Sequence, residues 1–362
     1  MTIPGETRAG RSKLNGAYST TAVTASAGED LVGLPMPQRP DTLYDLSRRT
    51  RVRRESGPRF PFPIPNGWFV VATADEIEPG RTKSLFYFGK DLVLFRGTDG
   101  TPYLFDAYCP HLGANLGVGG KVVDGSLQCP FHGWRFDGAS GACVEVPYDD
   151  NPYIPKTATA RSYPVVERNH MIWAWHHLER AEPTYEVPEV AEFHDDDWLP
   201  IVVKDFEIAT CCQEMTENNV DWPHFMYVHG TPAIPEEEFH TDGHYKRTVG
   251  MNGNFVREGF GLGLGVLRVK GYTTFLSSTT PIDEENVHVR WIFTSPKSLG
   301  ENAAEKASRS FTAAVSQDLP IWENKIFKDP PVLRPAEKAI TEQRRWCQQF
   351  YSWPAGTNAK KR

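Results

Sequence analysis

The chain has little of what would direct it to nucleic acid or to a membrane. Its 39 Lys and Arg are outnumbered by 46 Asp and Glu, for a net charge of −7. That balance gives no case for a polyanion or an acidic membrane surface. No apolar run is long enough to form a transmembrane helix, and no apolar segment near the start has the form of a secretory signal. Cysteine is scarce, six in 362 residues. Cys143, Cys211, Cys212 and Cys347 show no framework spacing, so a reducing, cytoplasmic setting is expected. No dinucleotide fingerprint is present: Gly259, Gly261, Gly263 and Gly265 fall at every second position, outside any βαβ pattern. Gly119-Gly120-Lys121 is followed by Val122 and lacks the upstream Gly of a phosphate loop. Residues 1–56 are poor in large apolar side chains and rich in Gly, Ser, Thr and Arg, so a flexible arm is expected. The pairs Arg48-Arg49 and Arg53-Arg54 precede a Pro-rich stretch, which could not serve as the apolar segment of a twin-arginine signal.

What remains is an ordinary globular composition, 40% hydrophobic and 23% charged, in a chain long enough for more than one domain. Two short motifs stand out. Cys109-Pro110-His111 is followed after 17 residues by Cys129-Pro130-Phe131-His132-Gly133-Trp134. Zinc sites pair Cys-x-x-Cys with a second such pair or with His-x-x-x-His, and this is neither. Two Cys and two His so arranged are the ligand set of a Rieske [2Fe–2S] centre, in which two thiolates hold one iron and two imidazoles the other. Imidazoles bring less negative charge than thiolates, so such a cluster accepts an electron at a higher potential. The flanking Pro and Gly residues suit tight loops, and Trp134 is counted with the cluster-contacting residues.

Short strands frame these loops. Gly67–Ala72 reads as a strand, and Leu92–Arg96 and Tyr103–Asp106 form a hairpin about Thr98-Asp99-Gly100. Leu127-Gln128 and Trp134–Phe136 flank the second loop. Met171–Trp175 closes an all-β Rieske domain over residues 57–180. His170, His176 and His177 have no partner spacing and read as structural or surface residues.

The second constellation runs from Glu217-Asn218 to His229-Gly230. Two His five apart, with Asp221 three before the first, can meet on one metal only if the backbone bends. Five residues of helix turn about 140° beyond a full turn, so His229 must lie past a bend or at a helix end. Pro223 and Gly230 are plausible causes. Two His and one carboxylate on one face of iron form the facial triad of non-haem Fe(II) oxygenases, which leaves positions open for O₂.

From about residue 60 to its end the chain resembles the terminal oxygenase subunit of the Rieske non-haem iron oxygenases. The resemblance rests on the two Cys/His pairs and on Asn218-x-x-Asp221-x-x-His224-x-x-x-x-His229. It implies that His224 and His229 are iron ligands. It implies that Asp221, with Asn218 nearby, links an iron-ligating His to a cluster-ligating His of a neighbouring subunit, fixing both tautomers. It places the third ligand on a late helix, expected to start at Phe311–Val315. Asp318 is the candidate there, with Glu323 as rival. Asp329, beside two prolines, falls beyond that helix.

The C-terminal run Gln317-Asp318, Ile321–Lys325, Arg344-Arg345-Trp346 and Gln349-Phe350-Tyr351 is similar to 3-ketosteroid 9α-hydroxylases and cholesterol 7-desaturases. The segment between His229 and Asp318 is shorter than in the steroid 9α-hydroxylases. Phe206–Ile208 and Val287–Phe293 read as strands of an antiparallel sheet packed on the Asp318 helix; Phe260–Leu267 is apolar and Gly-rich, and its residues either fill the core or, at the alternating glycines, let a flat ligand meet backbone. The expected fold is therefore α+β: the all-β Rieske domain, then a helix-grip catalytic domain over residues 181–362, with an antiparallel sheet and helices. The resemblance implies a [2Fe–2S] cluster, a mononuclear Fe(II), O₂ and a bulky apolar, steroid-like substrate that is hydroxylated or desaturated. It also implies a separate NAD(P)H-dependent reductase, with or without a ferredoxin, and a homotrimer. Oxidative O-demethylation or hydroxylation of an aromatic compound is the alternative within this chemistry. A pure electron-transfer Rieske protein is the alternative outside it, and it leaves Asp221, His224, His229 and Asp318 without a role.

Overall fold

The structure is a computed structural model that describes residues 58–353; the expected arm over residues 1–56 lies outside them. The first half is built of eleven strands: β1 (Gly67–Thr73), β2 (Thr82–Tyr87), β3 (Lys90–Arg96), β4 (Pro102–Asp106), β5 (Lys121–Val123), β6 (Ser126–Gln128), β7 (Arg135–Asp137), β8 (Cys143–Glu145), β9 (Ser162–Tyr163), β10 (Val165–Arg168) and β11 (Met171–His176). They form three small sheets, ordered β1-β11-β10, β2-β3-β4-β9 and β5-β6-β7-β8. The β3–β4 hairpin turns where Thr98-Asp99-Gly100 places it, with Gly100 at φ +90° and Thr101 N–H donating to Asp99 Oδ1 at 3.0 Å. Left-handed backbone costs Gly nothing, and an Asp acceptor two residues back closes such turns.

The second half opens with β12 (Val202–Ile208) and two short helices, α1 (Cys212–Glu217) and α2 (Pro223–Tyr227). Six strands follow: β13 (Glu237–Asp242), β14 (Tyr245–Gly250), β15 (Phe255–Phe260), β16 (Leu264–Val269), β17 (Thr273–Pro281) and β18 (Val287–Thr294). Last come α3 (Ala303–Trp322) and α4 (Lys338–Cys347). All seven strands join one antiparallel sheet, ordered β12-β18-β17-β16-β15-β14-β13, and α3 packs on β12 and β18. The α+β architecture expected from the sequence is the one observed.

The sheet is covered on both faces, and the period-2 alternation of strands divides its residues. Leu264, Val266, Leu276 and Ile292 point outward and share a core with Trp68, Val70 and Trp173 of β1 and β11. Their neighbours Leu267, Phe275 and Phe293 point inward and share a core with Leu319, packed against Phe311 and Val315 of α3.

Two local expectations need correction. The Gly-rich stretch Phe260–Leu267 holds a turn: β15 ends at Phe260, Gly261 turns at φ +67°, and β16 returns from Leu264. The alternating glycines do not cradle a ligand. A Cβ at Gly261 would strike Tyr185 Oη, and one at Gly263 the carbonyl of Trp68; these glycines let the Rieske-side strand and Tyr185 close on the sheet. The late helix also begins earlier than Phe311, at Ala303. Its first turns bury Ala303, Ala304 and Ala307, and small alanines give little apolar periodicity to read.

Candidate metal centres

The two Cys/His loops close in the same way. Cys109 N–H donates to Ala114 O at 2.9 Å, and Gly113 N–H to Cys109 O at 2.9 Å. Twenty positions on, Cys129 N–H donates to Trp134 O at 2.8 Å, and Gly133 N–H to Cys129 O at 3.1 Å. The glycine four residues after each Cys is left-handed, φ +76° at Gly113 and +74° at Gly133, which is why glycine stands there. Each loop thus presents one thiol and one imidazole from the same scaffold.

The loops bring all four side chains together. Cys109 and Cys129 are buried, 3% exposed each, and their side chains interact. Backbone N–H groups of His111 and Leu112 point at the Cys109 sulfur, yet burial pushes that thiol up to about 11. A metal ion that binds such a thiol takes it as the thiolate. The His111 and His132 rings lie 4.9 Å apart at 70°, and the Nδ1 atom of each is buried with no hydrogen-bond partner. Two buried sulfurs beside two orphaned imidazole nitrogens are the donor set that a [2Fe–2S] cluster of this type needs. Trp134 stacks flat on His111, 4.3 Å away at 6°, and its Nε1–H donates to Tyr148 Oη at 2.8 Å.

The second centre is built around α2. Pro223 occupies the first turn, where its missing N–H costs nothing. The helix stops at Tyr227, and Gly230 turns left-handed at φ +70°, so His229 lies past the helix end, as its five-residue spacing from His224 requires. Asp318 comes from the last turn but one of α3 and is buried. Ligand atoms of His224, His229 and Asp318 all lie within 4.8 Å of one another. Among the described residues this is the one such group of three, and Glu323 and Asp329 are not in it.

Hydrogen bonds orient both imidazoles. His224 Nδ1–H donates to the main-chain carbonyl of Asp221. His229 Nδ1–H donates to Gln317 Oε1 at 2.9 Å. Both rings therefore keep Nε2 for a metal; that of His229 sits 3.4 Å from Asp318 Oδ2, and that of His224 faces Asn218 Nδ2 at 3.3 Å. Burial lowers the His224 pKa. Burial also works against the charged form of His229, but Asp318 and Gln317 outweigh it and hold that pKa above the usual value. Burial raises the Asp221 carboxyl, against the pull of His224. Two nitrogens and a carboxylate oxygen on one side of a small space are the donors of a 2-His-1-carboxylate iron site.

Two features escaped the sequence. Gln317 is read there only as part of a C-terminal motif, and its role is a contact between residues 88 positions apart. The other is a cavity of about 60 Å³ beside His224 and Asp318, lined also by Glu214, Glu217, Asp221 and Lys325. No local pattern marks either one.

Comparison with known proteins agrees with this geometry. Residues 67–164 match the Rieske [2Fe-2S] domain family, and residues 174–351 the 3-ketosteroid 9alpha-hydroxylase C-terminal domain family. A cholesterol 7-desaturase of Ciona intestinalis is 30% identical over 356 residues, covering 85% of this chain and 73% of that protein. The oxygenase component of a 3-ketosteroid-9-alpha-monooxygenase of Mycolicibacterium smegmatis is 30% identical over 323 residues, covering 79% and 82%. Among solved structures, NdmA of Pseudomonas putida CBB5 superposes with TM-score 0.65 at 22% identity, covering 78% of this chain and 88% of that one. Dicamba monooxygenase does so with TM-score 0.61 at 22% identity, covering 79% and 96%; at such identity these two bear on the fold alone. With relatives alike along most of their length and both halves matched, the chain belongs to the Rieske non-haem iron oxygenases.

Proposed function

We propose that the chain is the terminal oxygenase of a steroid-oxidising system, hydroxylating or desaturating a bulky apolar substrate. One observation carries the reading: His224, His229 and Asp318 converge within the half that matches the 3-ketosteroid 9alpha-hydroxylase C-terminal domain. Relatives named cholesterol 7-desaturase and 3-ketosteroid-9-alpha-monooxygenase support the substrate class. The proposed cluster ligands are Cys109, His111, Cys129 and His132, with Trp134 stacked beside them. The proposed iron ligands are His224, His229 and Asp318. When bound, the cluster supplies electrons one at a time and the Fe(II) site activates O₂.

The chain's own part is placement. Gln317 and the Asp221 carbonyl hold two imidazoles in the tautomer that leaves Nε2 free. The inward apolar residues of the sheet and of α3 pack together as a core that excludes water. The Asp221 carboxylate is left to meet a His of a neighbouring cluster loop, with Asn218 beside it. Exposed apolar side chains on and near the cluster loops, Leu112 at 65% and Phe131 at 62%, and Tyr227 at 80% beside the iron residues, support contact between copies. A homotrimer is proposed accordingly, served in the cytoplasm by a separate NAD(P)H-dependent reductase, with or without a ferredoxin. Among the described residues no helix is long and apolar enough to cross a membrane.

The test is oxygen uptake and product mass with a surrogate reductase, NADH, and a panel of a 3-ketosteroid, cholesterol and a methoxybenzoate. A steroid product that gains one oxygen atom indicates hydroxylation, and one that loses two hydrogens indicates desaturation. Demethylated methoxybenzoate with untouched steroids would overturn the steroid assignment.

A further inference from the structure

Insertion of one oxygen atom into a C–H bond consumes O₂, two electrons and two protons, and releases one water. Desaturation consumes the same and releases two waters. The electrons have their route through the cluster, but the protons must reach a partly buried site by another. The cavity of about 60 Å³ beside His224 and Asp318 is large enough for water, and Glu214 and Lys325 form part of its wall. The Glu214 side chain is 1% exposed and that of Lys325 37%, with Nζ 2.5 Å from Glu214 Oε2. One end of this pair is thus in solvent and the other in the cavity. Lys325 is the hydrogen-bonding partner of the Glu214 carboxylate. Glu217, one turn on, is instead held by Arg344 through two bonds of 2.7 and 2.8 Å.

We propose that Lys325 and Glu214 are the proton inlet of the iron site. The inference rests on the oxygenase reading. Lys325 passes an Nζ proton to Glu214 and regains one from solvent. Glu214 releases the proton to cavity water, which delivers it to the oxygen being reduced beside His224 and Asp318. Only protons move in these steps. The surroundings of Glu214 suit the task. It faces Lys325, Glu217, Arg344 of α4, the Cys211 thiol and Tyr351. Burial raises its pKa, Lys325 and Arg344 pull against that, and the balance stays above the ordinary glutamate value, which brings a carboxyl nearer to neutral pH as a proton carrier.

The decisive variants are Lys325→Arg, Lys325→Met and Glu214→Gln. Arginine keeps the ion pair but does not give up its proton, so a purely structural pair is rescued by Lys325→Arg and a relay is not. All three should slow product formation about a hundredfold and enlarge its solvent deuterium isotope effect, with cluster spectrum and iron content unchanged. In the iron-free protein, an infrared pH titration should show a carboxyl band above the ordinary glutamate range that is lost in Glu214→Gln. Wild-type rates in Lys325→Arg, or no such band, would overturn the inlet. Should the wild type oxidise no substrate at all, the oxygenase reading fails instead, and the infrared titration still decides whether Glu214 carries a proton.

Discussion

At the scale of single residues, what matters is which nitrogen of each imidazole is left for a metal. An amide oxygen only accepts, so Gln317 Oε1 at 2.9 Å from His229 Nδ1 places the proton on Nδ1 and leaves Nε2 basic. Such outer partners are worth about 10–100-fold in metal affinity. Gln317→Leu should therefore weaken Fe(II) binding by about that factor, read by chelator competition, with the cluster spectrum intact. Asp318→Ala should go further and yield protein with the cluster but no mononuclear iron; full iron and activity would remove Asp318 from the site. Asp221→Asn should keep both metals while single-turnover oxidation of the cluster becomes very slow, and an unchanged rate would sink its bridging role. The legibility of these residues differs for a physical reason. Cys109, His111, Cys129, His132, His224 and His229 stand out because each pair sits in one short loop or turn, where covalent spacing limits where the ligands can go. Asp318 needed the resemblance, since a lone Asp on a helix has no spacing to read. Gln317, Glu214 and Lys325 owe their places to tertiary contacts.

At the scale of elements, the same limit explains the sheet. Strands covered on both faces lose the polar alternation that marks a half-exposed strand, so nothing in the pattern tells the outward Val266 from the inward Leu267. The glycines between β15 and β16 illustrate it: their spacing is visible, but only the fold shows that Trp68 and Tyr185 fill the space. Gly263→Ala should accordingly lower thermal stability, by about 1–3 kcal/mol as for other overpacked sites, and spare the ligand loops. Lys246 is a second tie between elements. From the inner face of β14 its Nζ donates to Thr216 O of α1 at 3.2 Å and to Gln343 Oε1 of α4 at 3.3 Å. Burial lowers its pKa to about 7, against about 10.4 in an unfolded chain. Between those values the unfolded chain binds more protons, so this group's contribution to stability rises with pH. Relative to Lys246→Met, the wild type should gain stability from pH 7 towards pH 10, by at most about 1.4 kcal/mol per pH unit. Urea midpoints of the two proteins at pH 7 and pH 9 check this.

At the scale of the whole molecule, the two centres sit in separate surroundings. Cys109 and Cys129 belong to a core with Val93, Phe95 and Leu127, whereas Asp318 extends from the helix whose Leu319 and Trp322 lie in the large core between sheet and helices. Among the described residues, no hydrogen bond, ion pair or ring contact joins a cluster-loop ligand to His224, His229 or Asp318. In the proposed homotrimer, electron transfer across a junction between copies would resolve this separation, because a closed ring would let each cluster loop meet the iron site of the next chain. The apolar side chains exposed at the two places would then be buried by the same contact. Complementation reads this directly. Cys109→Ser should lack the cluster and His224→Ala the mononuclear iron, so each alone should be inactive. Co-expressed, the two should form mixed oligomers in which an intact cluster on one chain faces an intact iron site on another, and activity should return. If electrons passed only within a chain, the mixture would stay as inactive as its parts, and the exposed apolar surface would need another occupant.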